Sequence, residues 1–112
     1  MPIHEPGVPE LLQRNGERLS FTLDMEDVFA EARIAIVCVD TPPTPSGDAD
    51  LSRVEAVIDA LPASAEGAIL VMKSTVPVGT GQRVRAELDA RGRTDVGYVS
   101  NPEFLREGSA VA

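Results

Sequence analysis

Three short, continuously apolar segments constrain the fold of this chain more than any other feature. They span residues 34–39, 68–72 and 96–99, and stretches with helical spacing separate them. A strand that is apolar at every position is typical of a parallel sheet with both faces covered. Strands that alternate with helices in this way are joined by right-handed crossovers. We therefore expect an α/β fold with a parallel sheet flanked by helices.

The composition fits this architecture. Aromatic residues make up only 4% of the 112 residues, so Val, Ile, Leu and Ala must build the core of a single domain. The formal net charge of −8 argues against nucleic acid or an anionic membrane as a partner. We expect a cytoplasmic protein, because no stretch approaches the roughly 20 apolar residues of a membrane span and the N-terminal sequence lacks signal-peptide features.

Other elements are predicted from end signals and periodicity. A first helix would begin near Val8 and end at Asn15-Gly16 in a left-handed conformation. Residues 18–22 alternate apolar and polar side chains and are predicted to form a short strand. Asp24 would cap a second helix.

Two longer helices are predicted between the apolar segments. Asp50 or Ser52 would cap one of them. The other would begin after Gly79 and end at Arg91-Gly92.

Polar residues follow each apolar segment where its strand would end. Asp40 and Thr41 follow the first, Ser74 and Thr75 the second, and Glu103 comes shortly after the third. Because the carboxyl ends of parallel strands share one edge, these residues should border one cleft. Their hydroxyls could bind a ribose or pyrophosphate, although Ser and Thr at such positions more often shape loops.

Glu103 and Glu107 are four residues apart, so a helical turn would stack them on one face. At the mouth of a cleft, one such carboxylate can act as a general base. By spacing alone, the simpler interpretation is a solvated helix start, where Glu favours the positive end of the dipole.

Three motifs resemble those of the nucleotide-sugar 6-dehydrogenases, the UDP-glucose/GDP-mannose dehydrogenase family. They are Thr-Pro, Ser-Thr-Val-Pro-Val-Gly-Thr and Asn-Pro-Glu-Phe-Leu-x-Glu-Gly, which follow the three segments in the family's order. The resemblance implies that residues 1–112 are the C-terminal portion of a Rossmann-like NAD-binding domain, with the sugar-binding domain absent. It also implies oxidation of UDP-glucose to UDP-glucuronate with two NAD, favoured over GDP-mannose by the second motif and Glu107-Gly108.

The resemblance assigns roles to individual residues. Glu103 would be the catalytic acid/base, and Thr75 would position an active-site water. The residues bordering NAD would be Val39, Asp40, Thr41, Pro42, Pro43, Ser74, Thr75, Val76 and Glu107, with Thr41 as the main polar contact of the first group. The residues contacting the sugar nucleotide would be Glu103, Phe104, Leu105, Arg106 and Glu107. Asp40 departs from the usual Gly or Asn of the family, and its carboxylate would repel a nearby pyrophosphate.

Parts of a complete dehydrogenase of this family do not occur in the sequence. There is no Gly-x-Gly-x-x-Gly, and the first strands of the sheet are absent with it. Cys38 lies inside an apolar segment, so we expect a buried, inert thiol and not the family's nucleophile. We therefore expect no dehydrogenase activity from this chain by itself. The first apolar segment would form an exposed edge strand that pairs with a second copy or another chain.

Other functions stay open at the level of the sequence. The chain could belong to a GDP-mannose or another UDP-sugar dehydrogenase. It could also be a non-catalytic remnant that binds a nucleotide or a protein, or one half of a split enzyme. Binding without turnover would favour the remnant, and activity recovered on mixing with a partner would favour the split enzyme.

Overall fold

The computed structural model describes residues 5–105, which divide into two compact units. The smaller unit comprises the described residues before Asp24 and after Glu103. It contains helix α1 (Val8–Arg14) and a 3-10 turn at Gly16–Arg18. No helix within residues 5–105 is long and apolar enough to cross a membrane.

The larger unit, Asp24–Glu103, contains a three-stranded parallel sheet. Its elements, in chain order, are α2 (Met25–Phe29), β1 (Ile34–Val37), α3 (Ser52–Asp59), β2 (Ile69–Met72), α4 (Thr80–Ala90) and β3 (Gly97–Ser100). The strands lie side by side in the order β1-β2-β3, with Ile34 opposite Ile69 and Ile69 opposite Gly97. These parallel strands, connected through helices, confirm the predicted α/β class.

The core lies on one face of this sheet. Chain order and spatial order agree, so both right-handed crossovers run in the same direction and bring α3 and α4 to the same face. Helix and strand side chains together form the buried apolar cluster, which consists of Phe29, Val37, Val54, Ile58, Ala65, Ala68, Leu70, Met72, Val84, Leu88 and Val96.

The opposite face of the sheet is exposed within this unit, so the expectation that the first strand is covered on both faces was wrong. Ile34 and Ile36 are 61% and 62% exposed, and Ile69 and Val99 share their face. The physical reason is the one-directional strand order, which puts both crossover helices on the other side. Cys38 follows the last residue of β1 and is exposed, which corrects its prediction as a buried thiol.

Two predictions for the N-terminal unit were also wrong. Residues 18–22 form no strand, because no described strand pairs with them, and Phe21 is 87% exposed. Helix α1 ends at Asn15 as predicted, but neither Asn15, with a φ of −106°, nor Gly16 is left-handed. Instead, the backbone N–H and the side-chain Nδ2 of Asn15 both donate to the carbonyl of Leu11, at 3.1 and 2.8 Å.

The ends of α2 and α4 follow their predicted signals, whereas the start of α3 does not. Asp24 accepts a hydrogen bond from the backbone N–H of Glu26 at 2.9 Å, as expected of a cap. Neither Asp50 nor Ser52 is the N-cap of α3, which is Leu51 and makes no side-chain cap bond. Asp50, one residue earlier, accepts the backbone N–H of Ser52 at 2.9 Å, and this bond lowers the pKa of the Asp50 carboxyl. Helix α4 begins after Gly79, which has a φ of 93°, and is followed by left-handed Gly92.

Candidate functional site

Two side-chain hydroxyls hold together the segments that leave β1 and β2. The Ser74 Oγ donates to the carbonyl of Val39 at 2.6 Å, and the Thr41 Oγ1 donates to the carbonyl of Thr75 at 2.6 Å. Residues 39–43, which we term the β1 tip, therefore lie directly beside residues 73–76, which we term the β2 tip.

The segment after β3 leaves the sheet from the same edge. The backbone N–H of Asn101 donates to the carbonyl of Met72 at 3.0 Å and extends the pairing beyond Ser100. Glu103 lies three residues after Ser100, just as Thr75 lies three residues after Met72, and Ser100 and Met72 are opposite each other. Glu103 is exposed at this edge.

An open cleft of about 790 Å³ lies between the loop that follows β1 and the loop that leads into α4. Three residues predicted to border the cofactor line it, namely Thr41, Thr75 and Val76. The remaining lining residues are Gly47, Asp48, Ala49, Leu51, Pro77, Val78, Gly79, Thr80 and Arg83. The other described cofactor candidates belong to the two tips but not to the lining, namely Val39, Asp40, Pro42, Pro43 and Ser74.

The hydroxyls of the β2 tip face different surroundings. Ser74 is 8% exposed, and its hydroxyl points inward to the carbonyl of Val39. Thr75 is exposed, and Thr41 engages its carbonyl, which leaves the Thr75 hydroxyl for a ligand.

Two arginines neutralise carboxylates around the site. Arg53 in α3 forms an ion pair with Asp40 of the β1 tip, so the carboxylate expected to repel a pyrophosphate is compensated. Arg83 lines the cleft from α4 and pairs with Glu55 of α3.

Sequence reasoning identified neither arginine. Arg83 follows Gly79 by four residues, a helical spacing that could have indicated a shared face. No sequence signal indicated Arg53, because its partner Asp40 lies thirteen residues away across a loop.

The residues of this edge fit a dinucleotide. The cleft volume is within the range of small-molecule sites. The hydroxyl of Thr75 and the guanidinium of Arg83 offer donors suited to ribose and phosphate oxygens. No group of three or more His, Cys, Asp or Glu side chains within residues 5–105 could hold a metal ion.

The predicted sugar-nucleotide contacts are only partly described. Phe104 and Leu105 are 94% and 67% exposed in the smaller unit. Arg106 and Glu107 lie outside the described residues, and their roles stay predictions.

Comparisons with known proteins identify the family of this chain. The model of the UDP-glucose/GDP-mannose dehydrogenase family, NAD binding domain, matches residues 1–112. A UDP-glucose 6-dehydrogenase of Pseudomonas aeruginosa is 45% identical over 119 residues, covering 99% of this chain and 26% of the relative. A UDP-glucose 6-dehydrogenase of Bacillus subtilis is 41% identical over 116 residues, covering 99% of this chain and 25% of the relative.

Solved structures resemble the fold as well. A UDP-glucose dehydrogenase from Pyrobaculum islandicum has a TM-score of 0.81 and 44% identity, covering 97% of this chain and 27% of that one. A GDP-mannose dehydrogenase from Pseudomonas aeruginosa, solved as a ternary complex, has a TM-score of 0.86 and 36% identity. The match covers 98% of this chain and 28% of that one. The chain thus spans about a quarter of the length of these relatives. It belongs to the UDP-glucose/GDP-mannose dehydrogenase family, whose NAD-binding domain it matches.

Proposed function

We propose that this chain contributes part of the NAD-binding domain of a dehydrogenase that oxidises UDP-glucose to UDP-glucuronate with two NAD. The observation that carries this proposal is the shared sheet edge at which Thr41, Thr75 and Glu103 follow three parallel strands. UDP-glucose is favoured over GDP-mannose because the relative from Pseudomonas aeruginosa that is named for UDP-glucose is 45% identical, against 36% for the GDP-mannose dehydrogenase.

The two tips would hold the cofactor. Residues 39–43 and 74–76 would border NAD, with backbone groups and the Thr75 hydroxyl as polar partners, and Glu107 would lie near its nicotinamide. Bound NAD would supply the hydride acceptor for C6 of the sugar. The Asp40–Arg53 ion pair supports this arrangement, because it removes a repulsive charge from the β1 tip.

Glu103 would act as the acid/base. Its carboxylate would accept the proton of the C6 hydroxyl, either directly or through a water that the Thr75 hydroxyl holds. Residues 104–107 would contact the sugar nucleotide. Exposure of Glu103 and Thr75 at the same edge supports this assignment.

A segment exchange tests the proposal. In the Pseudomonas aeruginosa UDP-glucose 6-dehydrogenase, the matching segment is replaced by this chain, and NADH formation from UDP-glucose is measured. We expect this segment-exchanged enzyme to keep activity within about tenfold of the parent, while the purified 112-residue chain forms no NADH. A folded enzyme that binds NAD without turnover would contradict the proposal and favour the non-catalytic alternative.

Two further proposals concern the surroundings of the chain. We infer that the edge of β1 pairs with a second copy or another chain, because no described strand pairs with its outer side and its apolar residues Ile34 and Ile36 are exposed. We also place the reaction in the cytoplasm, which fractionation of cells would test.

A further inference from the structure

The backbone alone does not hold the β1 and β2 tips together. The last ladder pair is Val37 with Met72, after which the N–H groups of Lys73 and Ser74 both donate to the carbonyl of Val37, at 2.9 and 3.2 Å. Among the described residues, no backbone hydrogen bond joins residues 38–43 to residues 75–78. Three prolines in these stretches lack the N–H group that a longer ladder would need.

Side-chain hydroxyls continue the connection where the ladder stops. Each tip supplies one hydroxyl to a carbonyl of the other, Ser74 to Val39 and Thr41 to Thr75, both at 2.6 Å. The two bonds bracket the stretch in which the chains would otherwise separate. Ser74 is buried, so its bond is shielded from competing water.

These bonds limit what Thr41 and Ser74 can offer to a ligand. A hydroxyl has one proton to donate, and in both residues that proton is directed to a backbone carbonyl. While the bonds last, neither hydroxyl can donate to a phosphate oxygen. Thr75 differs, because it takes part through its carbonyl and keeps its hydroxyl for the cleft that it lines.

We propose that Thr41 and Ser74 are positioning residues, which form a reciprocal hydroxyl clamp that fixes Thr75 against the β1 tip. The clamp sets the place from which the Thr75 hydroxyl meets a ligand, and neither clamp residue is itself a donor to the cofactor. Its catalytic use rests on the proposed function, in which Thr75 holds a water, but the clamp can be tested without turnover.

The test measures amide hydrogen exchange by NMR in the 112-residue chain. Thr41→Val keeps the side-chain shape and removes the hydroxyl, and should speed exchange at the amides of Lys73 and Ser74 about fivefold. It should also shift the carbonyl carbon resonance of Thr75. Thr41→Ser keeps the hydroxyl and should restore both signals. Thr44→Val is the matched control, since the hydroxyl of Thr44 bonds to Ser46 within its own loop.

Unchanged exchange at Lys73 and Ser74 in Thr41→Val would overturn the clamp, as would an equal change in Thr44→Val. Ser74→Ala provides a second variant, which should speed exchange at the same amide pair. An NAD titration of the segment-exchanged enzyme and its variants separates this inference from the proposed function. If Thr41→Val weakens NAD binding while exchange stays unchanged, Thr41 is a direct ligand and the clamp is refuted. If neither the segment-exchanged enzyme nor its variants bind NAD but the exchange results hold, the clamp stands and the proposed function fails.

Discussion

Asp40 introduces a carboxylate at the β1 tip, close to where the family resemblance implies a pyrophosphate. In the structure Arg53 of α3 forms an ion pair with it. Both side chains are mostly exposed, so the pair contributes little to folding stability. Its effect should instead appear in the affinity for an anionic ligand.

Arg53→Gln should therefore raise the KM for NAD of the segment-exchanged enzyme about threefold, because the charge of Asp40 is no longer compensated. The increase should be larger at low salt, where screening is weaker. Adding Asp40→Asn should reverse it. A double variant as impaired as Arg53→Gln alone would show that Arg53 acts by another route.

Tyr98 gives the chain a pH dependence. Its hydroxyl is buried with no hydrogen-bond partner among the described residues, and burial raises the pKa of the phenol. The folded pKa thus exceeds the unfolded value of about 10. The stability linked to this proton is complete below the unfolded pKa and is lost as pH rises through the folded pKa.

Tyr98→Phe should increase the free energy of unfolding by about 1 kcal/mol at neutral pH, because it removes an unpaired buried hydroxyl. It should also weaken the alkaline loss of stability, since Tyr98 is the only tyrosine of the chain. Urea unfolding near neutral pH and above about pH 10 measures both effects. An alkaline decline of equal size in the two proteins would rule out this role.

At the scale of elements, Gly79 determines how α4 begins. Its φ of 93° is a left-handed conformation, and both the N–H and the hydroxyl of Thr80 then turn back to the carbonyl of Pro77. This turn forms one wall of the cleft.

Gly79→Ala should lower the free energy of unfolding by about 1 kcal/mol, because a β-carbon is strained in this conformation. Gly79→Asn should cost less, since Asn tolerates left-handed backbone better. The neighbouring Val78 is fully exposed, so Val78→Ala is the control and should be nearly neutral. Equal stability of Gly79→Ala and Val78→Ala in urea would contradict the role of the turn.

Local signals predicted the elements that depend on local chemistry. The ends of α4 could be predicted because Gly79 and Gly92 are suited to left-handed turns. The cap at Asp24 could be predicted because a helix cap depends only on residues next to it in the sequence. The conformation of residues 18–22 could not be predicted from their alternating pattern, because a strand forms only where another strand pairs with it. Nor could an apolar segment alone reveal that both crossover helices would leave one face of β1 open.

The same division holds for the site. The strand order brings Thr41 and Thr75 to one edge, as the motifs predicted. The hydroxyl clamp and the ion pairs of Arg53 and Arg83 depend on distances across loops and helices, which spacing along the chain does not encode.

At the scale of the whole molecule, the open apolar face of β1 and its edge, which no strand within residues 5–105 pairs with, should drive association. Ile36→Lys places a charge on this face and should weaken self-association of the purified chain at least about tenfold, as measured by sedimentation velocity. Val78→Lys adds the same charge at an exposed position outside the strands and should have little effect. A protein that stays monomeric at every concentration would contradict the proposed pairing.

The catalytic role of Glu103 offers the most direct test of the proposed function. In the segment-exchanged enzyme, Glu103→Gln keeps the shape of the side chain and removes its ability to accept a proton. We predict that kcat with UDP-glucose falls at least about a hundredfold while the KM for NAD changes little. Glu66→Gln, at an exposed glutamate before β2, should leave kcat unchanged. A Glu103→Gln enzyme that turns over as fast as its Glu66→Gln control would contradict the assignment of this edge as the catalytic site.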